Sequence, residues 1–263
     1  MMGPAHSLSG AAAWLGVGAA VAAAGHPMPW PVLVVGALIC AGAALAPDLD
    51  HKSATISRAF GSISRSLCEI IDKLSHSVYK ATRGHGDPRR SGGHRTLTHT
   101  WLWAVLIGAG ASLLAVTGGR WAVLGILFVH LVLAVEGLLW RMARTSSDVL
   151  VWLLGATSAW ILAGVLNQPG NGSDWLFGDP GQEYIWLGLP IVLGALVHDI
   201  GDALTVSGCP ILWPIPIGRK RWYPVGPPKS LRFRAGSWVE LKVLMPVFVL
   251  LGGASGLGAL ELI

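Results

Sequence analysis

Four short strings of histidine and acid interrupt an otherwise apolar chain of 263 residues. They are His6, then Asp48-Leu49-Asp50-His51, then His94-Arg95-Thr96-Leu97-Thr98-His99, and last His198-Asp199-Ile200-Gly201-Asp202. Imidazole nitrogen and carboxylate oxygen together suit zinc, manganese or iron better than calcium, which prefers oxygen alone. His198 and Asp202 are four residues apart, so on a helix both point to one face and can share an ion. Asp48 and Asp50 bracket the end of an apolar stretch, where a turn lets both carboxylates face inward. The candidate ligands are His6, Asp48, His51, His94, His99, His198 and Asp202. That is more than one tetrahedral ion needs, so the set suits one or two divalent ions, zinc first, with a bridging carboxylate. Asp50 or Asp199 remains as general base or as orienter of a ligand. Arg95 is permanently charged and cannot be a ligand. A guanidinium there suits a substrate phosphate or carboxylate.

Taken singly, the strings have plainer explanations. A histidine near a terminus is ordinary, Asp48 and Asp50 could be a helix-end turn, and His94 and His99 could be interfacial. His198, Asp199 and Asp202 are harder to dismiss, because three ionisable groups at the end of a membrane span are costly. His130 lies in mid-span and reads as a packed or hydrogen-bonded core residue. Cys40, Cys68 and Cys209 are isolated, with no CxxC, and read as buried thiols.

The elements that must position these groups follow from composition. Charged residues make up 13% of the chain. A soluble domain usually carries roughly 25%, so this chain needs a lipid-facing surface. Thirteen Trp residues fit membrane interfaces. Seven stretches approach the roughly 20 apolar residues of a spanning helix, at about 8–24, 31–47, 98–116, 121–140, 149–166, 184–204 and 241–263. The expected fold is therefore an all-α integral membrane bundle of about seven transmembrane helices, forming a single domain over 1–263. The start, Met1-Met2-Gly3-Pro4-Ala5-His6, has no basic region, so the first apolar stretch reads as a retained span.

Two polar segments interrupt the bundle. Residues 51–97 contain Ile56, Phe60, Ile63, Leu67, Ile70, Ile71, Leu74 and Val78 at helical spacing, opposite Arg58, Arg65, Lys73 and Lys80. This predicts an amphipathic helix lying on the bilayer. Residues 206–240 are rich in Pro, Gly and Arg, and predict short strands or irregular loops. With seven spans, 18 of the 19 Lys and Arg residues fall on the side of the N-terminus, and only Arg120 on the other. The loop at 167–183 is acidic instead, with Asp174, Asp179 and Glu183. The positive-inside rule makes the basic side, including 51–97 and 206–240, cytoplasmic. All four chemical strings then reach the same cytoplasmic face, although they play no part in placing the helices.

The strings, in this order and followed by Leu212-Trp213-Pro214, resemble the YdjM-type inner-membrane metal-dependent hydrolases, also described as LexA-binding inner-membrane-associated hydrolases. The resemblance runs from His6 to about Glu240. Members often read Thr-His at the first string and Leu-Asp at the fourth. Here Ala5-His6 and His198-Asp199 stand there, and the ligand-type residues survive. The insert between the second and third strings is longer than in the family. The family is distantly similar to zinc-dependent phospholipase C enzymes, whose sites use a His-x-x-x-Asp pair, and His198 and Asp202 have that spacing.

The expectation is a multi-pass hydrolase of the bacterial cytoplasmic membrane. It would use a divalent metal, zinc first, to activate water against an ester or phosphoester. A phospholipid or lipid-linked substrate fits a site at headgroup level, and no direct nucleic-acid partner is expected. Two alternatives differ in class. An ion or solute transporter would place its polar groups near the midplane, with broken helices. A non-catalytic scaffold would bind anionic lipid or a cytoplasmic partner through its basic segments.

Overall fold

The computed structural model describes residues 1–89, 93–176 and 183–261. Arg90, Asp179 and Ile263 lie outside the described residues. We label the helices α1 (Gly3–Ala23), α2 (Trp30–Ala43), α3 (Ile56–Ala59), α4 (Ser62–Thr82), α5 (Trp101–Leu138), α6 (Trp140–Thr145), α7 (Asp148–Leu166), α8 (Gly188–Ala203) and α9 (Met245–Glu261). Short 3-10 turns cover Ala46–Asp50, Leu97–His99 and Ile185–Leu187, and Glu240–Leu244 is a π turn leading into α9.

Among the described residues, six helical segments are long and apolar enough to cross a membrane: Gly3–Ala23, Trp30–Asp50, Trp101–Leu138, Asp148–Leu166, Ile185–Ala203 and Glu240–Leu260. The third and fourth expected spans are merged in the 38 residues of α5. A straight helix of that length would run about 57 Å, roughly twice the hydrocarbon core. The helix instead breaks at Gly119, with φ 58° and ψ −152°, a conformation that only glycine adopts easily. The neighbours of its two halves show a fold-back. Gly108 packs on Gly188 and Val192 of α8, and Ser112 Oγ donates to the Ile185 carbonyl at 2.6 Å. Past Gly119 the chain returns, so that the His130 carbonyl meets Gly42 and Gly137 meets Ser7. Both ends of α5 therefore lie near His6, and the six segments come close to the expected count of about seven.

The middle of the bundle is α2. Eleven of its fourteen residues are buried, and it has no charged side chain. Glycines let three other helices approach its backbone. A Cβ on Gly10 of α1 would stand 2.6 Å from the Cys40 carbonyl oxygen, one on Gly194 of α8 2.5 Å from the same atom, and one on Gly42 2.1 Å from the His130 carbonyl oxygen. Small residues at such crossings permit the close packing on which membrane helices depend. Gly10 lies one turn from His6 and Gly194 one turn from His198. The crossings that seat α1 and α8 on α2 thus also bring these two histidines together.

The amphipathic segment forms α3 and α4, separated by Gly61 at φ 59°. On α4, Ser64, Cys68, Ser75 and Tyr79 are buried, while Ile63, Leu67, Ile70 and Leu74 remain exposed. The small, mostly polar stripe packs inward and the apolar stripe faces out, as a helix lying on a bilayer requires. Residues 206–240 are turns with three isolated bridges: Thr205 to Phe233, Cys209 to Val225 and Ile217 to Lys220. No longer strand forms among the described residues. His130 hydrogen-bonds the Ile126 carbonyl at 2.7 Å, one turn back on its own helix. The three cysteines are buried and unbridged.

Candidate metal centre

Four donor atoms converge where α2, α5 and α8 reach one end of the bundle. They are Asp48 Oδ1, His99 Nε2, His198 Nε2 and Asp202 Oδ2. His99 Nε2 lies 3.6 Å from both carboxylate oxygens, and His198 Nε2 lies 3.7 and 3.8 Å from the same two. The two imidazole nitrogens are 3.3 Å apart. A tetrahedral zinc with arms of about 2.05 Å sets its ligands about 3.3 Å from each other. The spacing found is slightly wider, as suits a cluster that closes on an ion. A second overlapping set, Asp48, Asp50, His94 and His99, also has one donor atom per residue within 4.8 Å of the others.

The outer partners of both histidines leave the inner nitrogens available. His198 Nδ1 lies 2.7 Å from the Ala44 carbonyl at the end of α2. A carbonyl only accepts, so Nδ1 carries the proton and the Nε2 lone pair faces the cluster. Thr98 Oγ1 donates its proton to Asp50 Oδ2 at 2.7 Å, so its lone pair receives His99 Nδ1–H at 3.0 Å. This fixes His99 with Nε2 inward. Asp50 also accepts from the Arg95 backbone N–H at 3.1 Å and lies 2.8 Å from His94 Nδ1. Its two oxygens are thus engaged by three residues, an arrangement that orients ligands. Burial alone would lower the pKa of His99. The Asp50 charge, hydrogen bonds to Asp48 and Asp50, and the Asp202 charge instead carry it well above the ordinary 6.5.

The other expected site residues are placed as follows. His6 is fully buried and stacks on His198, with Nε2 3.4 Å from Asp202 Oδ1. It borders the four-atom cluster without joining either set. His51 stands outside both sets, its ring 4.4 Å from that of His94 and its Nδ1 3.0 Å from Ser53 Oγ. Asp199 is buried, with no hydrogen-bond partner on either oxygen among the described residues. The Arg95 guanidinium binds Asp202 Oδ2 at 2.7 Å and Thr205 Oγ1 at 3.1 Å. Arg95 holds a left-handed backbone, φ 55°, uncommon for a side chain of this size. That geometry aims its N–H at Asp50 while its side chain reaches Asp202.

Sequence reasoning misses four supporting groups. Thr98 sits inside the third string, but nothing in its spacing marks it as the link between Asp50 and His99. Thr205 follows Asp202 by three residues and donates to the Asp202 carbonyl at 2.7 Å. Cys209 Sγ contacts the His99 carbonyl at 3.3 Å. Burial, followed by the charges of Asp199 and Asp202, raises this thiol well above its ordinary pKa, so it remains neutral. The Ala44 carbonyl belongs to the backbone and leaves no signature in side-chain pattern.

A family model described as YdjM inner membrane protein matches residues 1–258. No curated protein and no solved structure matches the chain.

Proposed function

Because the chain belongs to the YdjM inner membrane protein family, we propose that it is a membrane-embedded, metal-dependent hydrolase that acts on an ester or phosphoester at the cytoplasmic face. One observation supports this above the rest. Asp48, His99, His198 and Asp202 present four donors at near-tetrahedral spacing, with both histidines turned inward by outer partners. Plain packing has no need to aim two imidazole nitrogens at each other across 3.3 Å, whereas a cation shared between them does.

A divalent ion, zinc first, held by these four residues would supply Lewis acidity and lower the pKa of water. The second set, with Asp50 and His94, offers room for a second ion. The protein's own groups divide the remaining work. Asp50 and Thr98 hold His99, and the Ala44 carbonyl holds His198. Arg95 holds Asp202 and supplies the positive charge that a phosphate or carboxylate would meet. Asp50 or Asp199, the latter buried with no hydrogen-bond partner among the described residues, is the candidate general base or orienter of a ligand. His6 covers one face of His198, and His51 stands behind His94. Neither a mid-membrane position nor a broken helix at the cluster supports the transporter alternative.

Metal analysis of the purified, detergent-solubilised protein is the first test, followed by turnover of simple phosphoesters and carboxyl esters. Stoichiometric zinc, manganese or iron that is lost in His198→Ala, with ester cleavage lost in parallel, supports the proposal. A metal-free protein that also fails to bind added zinc at micromolar concentration would leave the scaffold reading in its place.

A further inference from the structure

A cavity of about 720 Å³ opens at the same end of the bundle, between the start of α1, α3, the end of α5, α6 and the π turn before α9. It shares no residue with the metal cluster. Arg58, Arg141, Arg144 and Lys242 line it, against two carboxylates, Glu136 and Asp148. No salt bridge joins any of the six among the described residues. The four cations come from three separate stretches of chain, and all are exposed. Arg141 and Arg144 both lie against the Trp140 ring, 5.3 and 5.1 Å from its centroid. Such cation–π contact pre-orients two guanidinium groups. On the side toward α9, Leu241 and Met245 add apolar lining beside Lys242.

We propose that this cavity binds a phosphate ester, carried either by the headgroup of an anionic phospholipid or by a small soluble anion. Guanidinium forks match phosphate oxygens in bidentate fashion, which explains three arginines better than a need for bulk positive charge does. The volume falls within the range of small-molecule sites, roughly 300–1,000 Å³. Tryptophan at an interface and apolar lining on the side toward α9 would accompany a lipid headgroup. Basic residues near a membrane surface are each worth about 1 kcal/mol toward anionic lipid, or about fivefold in affinity.

The test is native mass spectrometry of the full chain in neutral detergent, titrated separately with phosphatidylglycerol, phosphatidylcholine and glycerol phosphate. The expected result is retention of phosphatidylglycerol with at least about tenfold preference over phosphatidylcholine. The double variant Arg141→Gln/Arg144→Gln should lose that preference. The variant Arg219→Gln/Lys220→Gln, which removes two cations from a different basic surface, should keep it. Should the first variant elute as aggregate, Arg58→Gln/Lys242→Gln replaces it with the same expectation. Glycerol phosphate binding as tightly as phosphatidylglycerol would support the phosphate site and assign it to a soluble anion. Equal phosphatidylglycerol binding by wild type and cavity variants, or equal loss in the Arg219/Lys220 control, would overturn the site. The metal reading would be untouched by either result.

Discussion

The imidazole of His6 lies flat against that of His198, with ring centroids 3.7 Å apart and planes within 15°. One comes from the first turn of the first helix and the other from the last turns of α8, and both are fully buried. Contact between residues so distant in sequence requires α1 and α8 to be fixed on α2 to within a fraction of a side chain. That fixing, and the site it produces, can be probed one group at a time.

Removal of single groups should separate ligands from bystanders. Asp48→Ala and His198→Ala should each lower metal affinity by well over tenfold without preventing membrane insertion. Thr98→Val, which keeps shape but loses the link between Asp50 and His99, should cost about 10- to 100-fold, the usual effect of an outer-partner change. His130→Ala should bind metal like wild type. Isothermal titration with zinc on the detergent-solubilised variants measures all four, and equal losses throughout would point to general unfolding.

The pH dependence follows from His99. Its pKa in the folded, metal-free protein is raised, so its stabilising contribution is fully present below the ordinary 6.5 and is lost as pH rises through the raised value. Zinc must displace that proton, so apparent zinc affinity should fall as pH falls. Thermal unfolding of metal-free protein should show stability declining toward alkaline pH, and His99→Gln should flatten that slope. A wild-type slope of opposite sign would contradict the assignment.

Arg95 contacts Asp202 and Thr205 together, and a lysine could replace one of these bonds but not both. Arg95→Lys should retain metal within about tenfold while losing most turnover. Arg95→Ala should weaken metal binding further, because Asp202 Oδ2 then loses its guanidinium partner and only Oδ1 stays held, by the N-terminal ammonium and His6. Full turnover of Arg95→Lys, measured on whichever ester the wild type cleaves, would remove Arg95 from substrate binding.

Glycine substitutions distinguish close helix crossings from open faces. A Cβ on Gly194 would stand 2.5 Å from the Cys40 carbonyl oxygen and 2.9 Å from Ala43 Cβ, while one on Gly164 meets nothing within 4 Å. Gly194→Val should reduce folded yield severely and, in any folded fraction, weaken zinc binding by displacing His198. Gly164→Ala should leave zinc binding alone and raise the melting temperature slightly, as alanine gains up to about 1 kcal/mol over glycine in a helix. Size-exclusion profiles and melting curves report both.

The fold-back of α5 makes a topological prediction. A single cysteine introduced in place of Arg120, in a variant without the native cysteines, should react with impermeant maleimide from the face opposite one introduced in place of His85. Labelling of both from one face would mean that α5 does not turn back at Gly119.

Apolar run length by itself makes the bundle legible, and counting the spans places the four strings at one end. The ends of α5 are readable too, since the expected spans at 98–116 and 121–140 are its two halves. The break between them is readable as well, because Gly118-Gly119 interrupts helix propensity at the point where the backbone turns to φ 58°. Within the site, donor chemistry and spacing single out Asp48, His99, His198 and Asp202. The same grounds single out His51, which stands behind His94, because adjacency in sequence to Asp50 does not determine which way a ring turns after a 3-10 turn. The roles of Thr98 and the Ala44 carbonyl depend on hydrogen bonds across the bundle, which one-dimensional pattern does not contain.

The end of α2 touches the candidate metal centre twice. Its terminal carbonyl, on Ala44, sets the orientation of His198, and the turn that follows carries Asp48. One candidate ligand and the brace of another therefore ride on one rod through the middle of the molecule. Any displacement of that rod along its axis moves both by the same amount. The spacing of the donors in the proposed centre is therefore tied to how α2 is seated among α1, α5 and α8, through the glycine crossings at Gly10, Gly42 and Gly194.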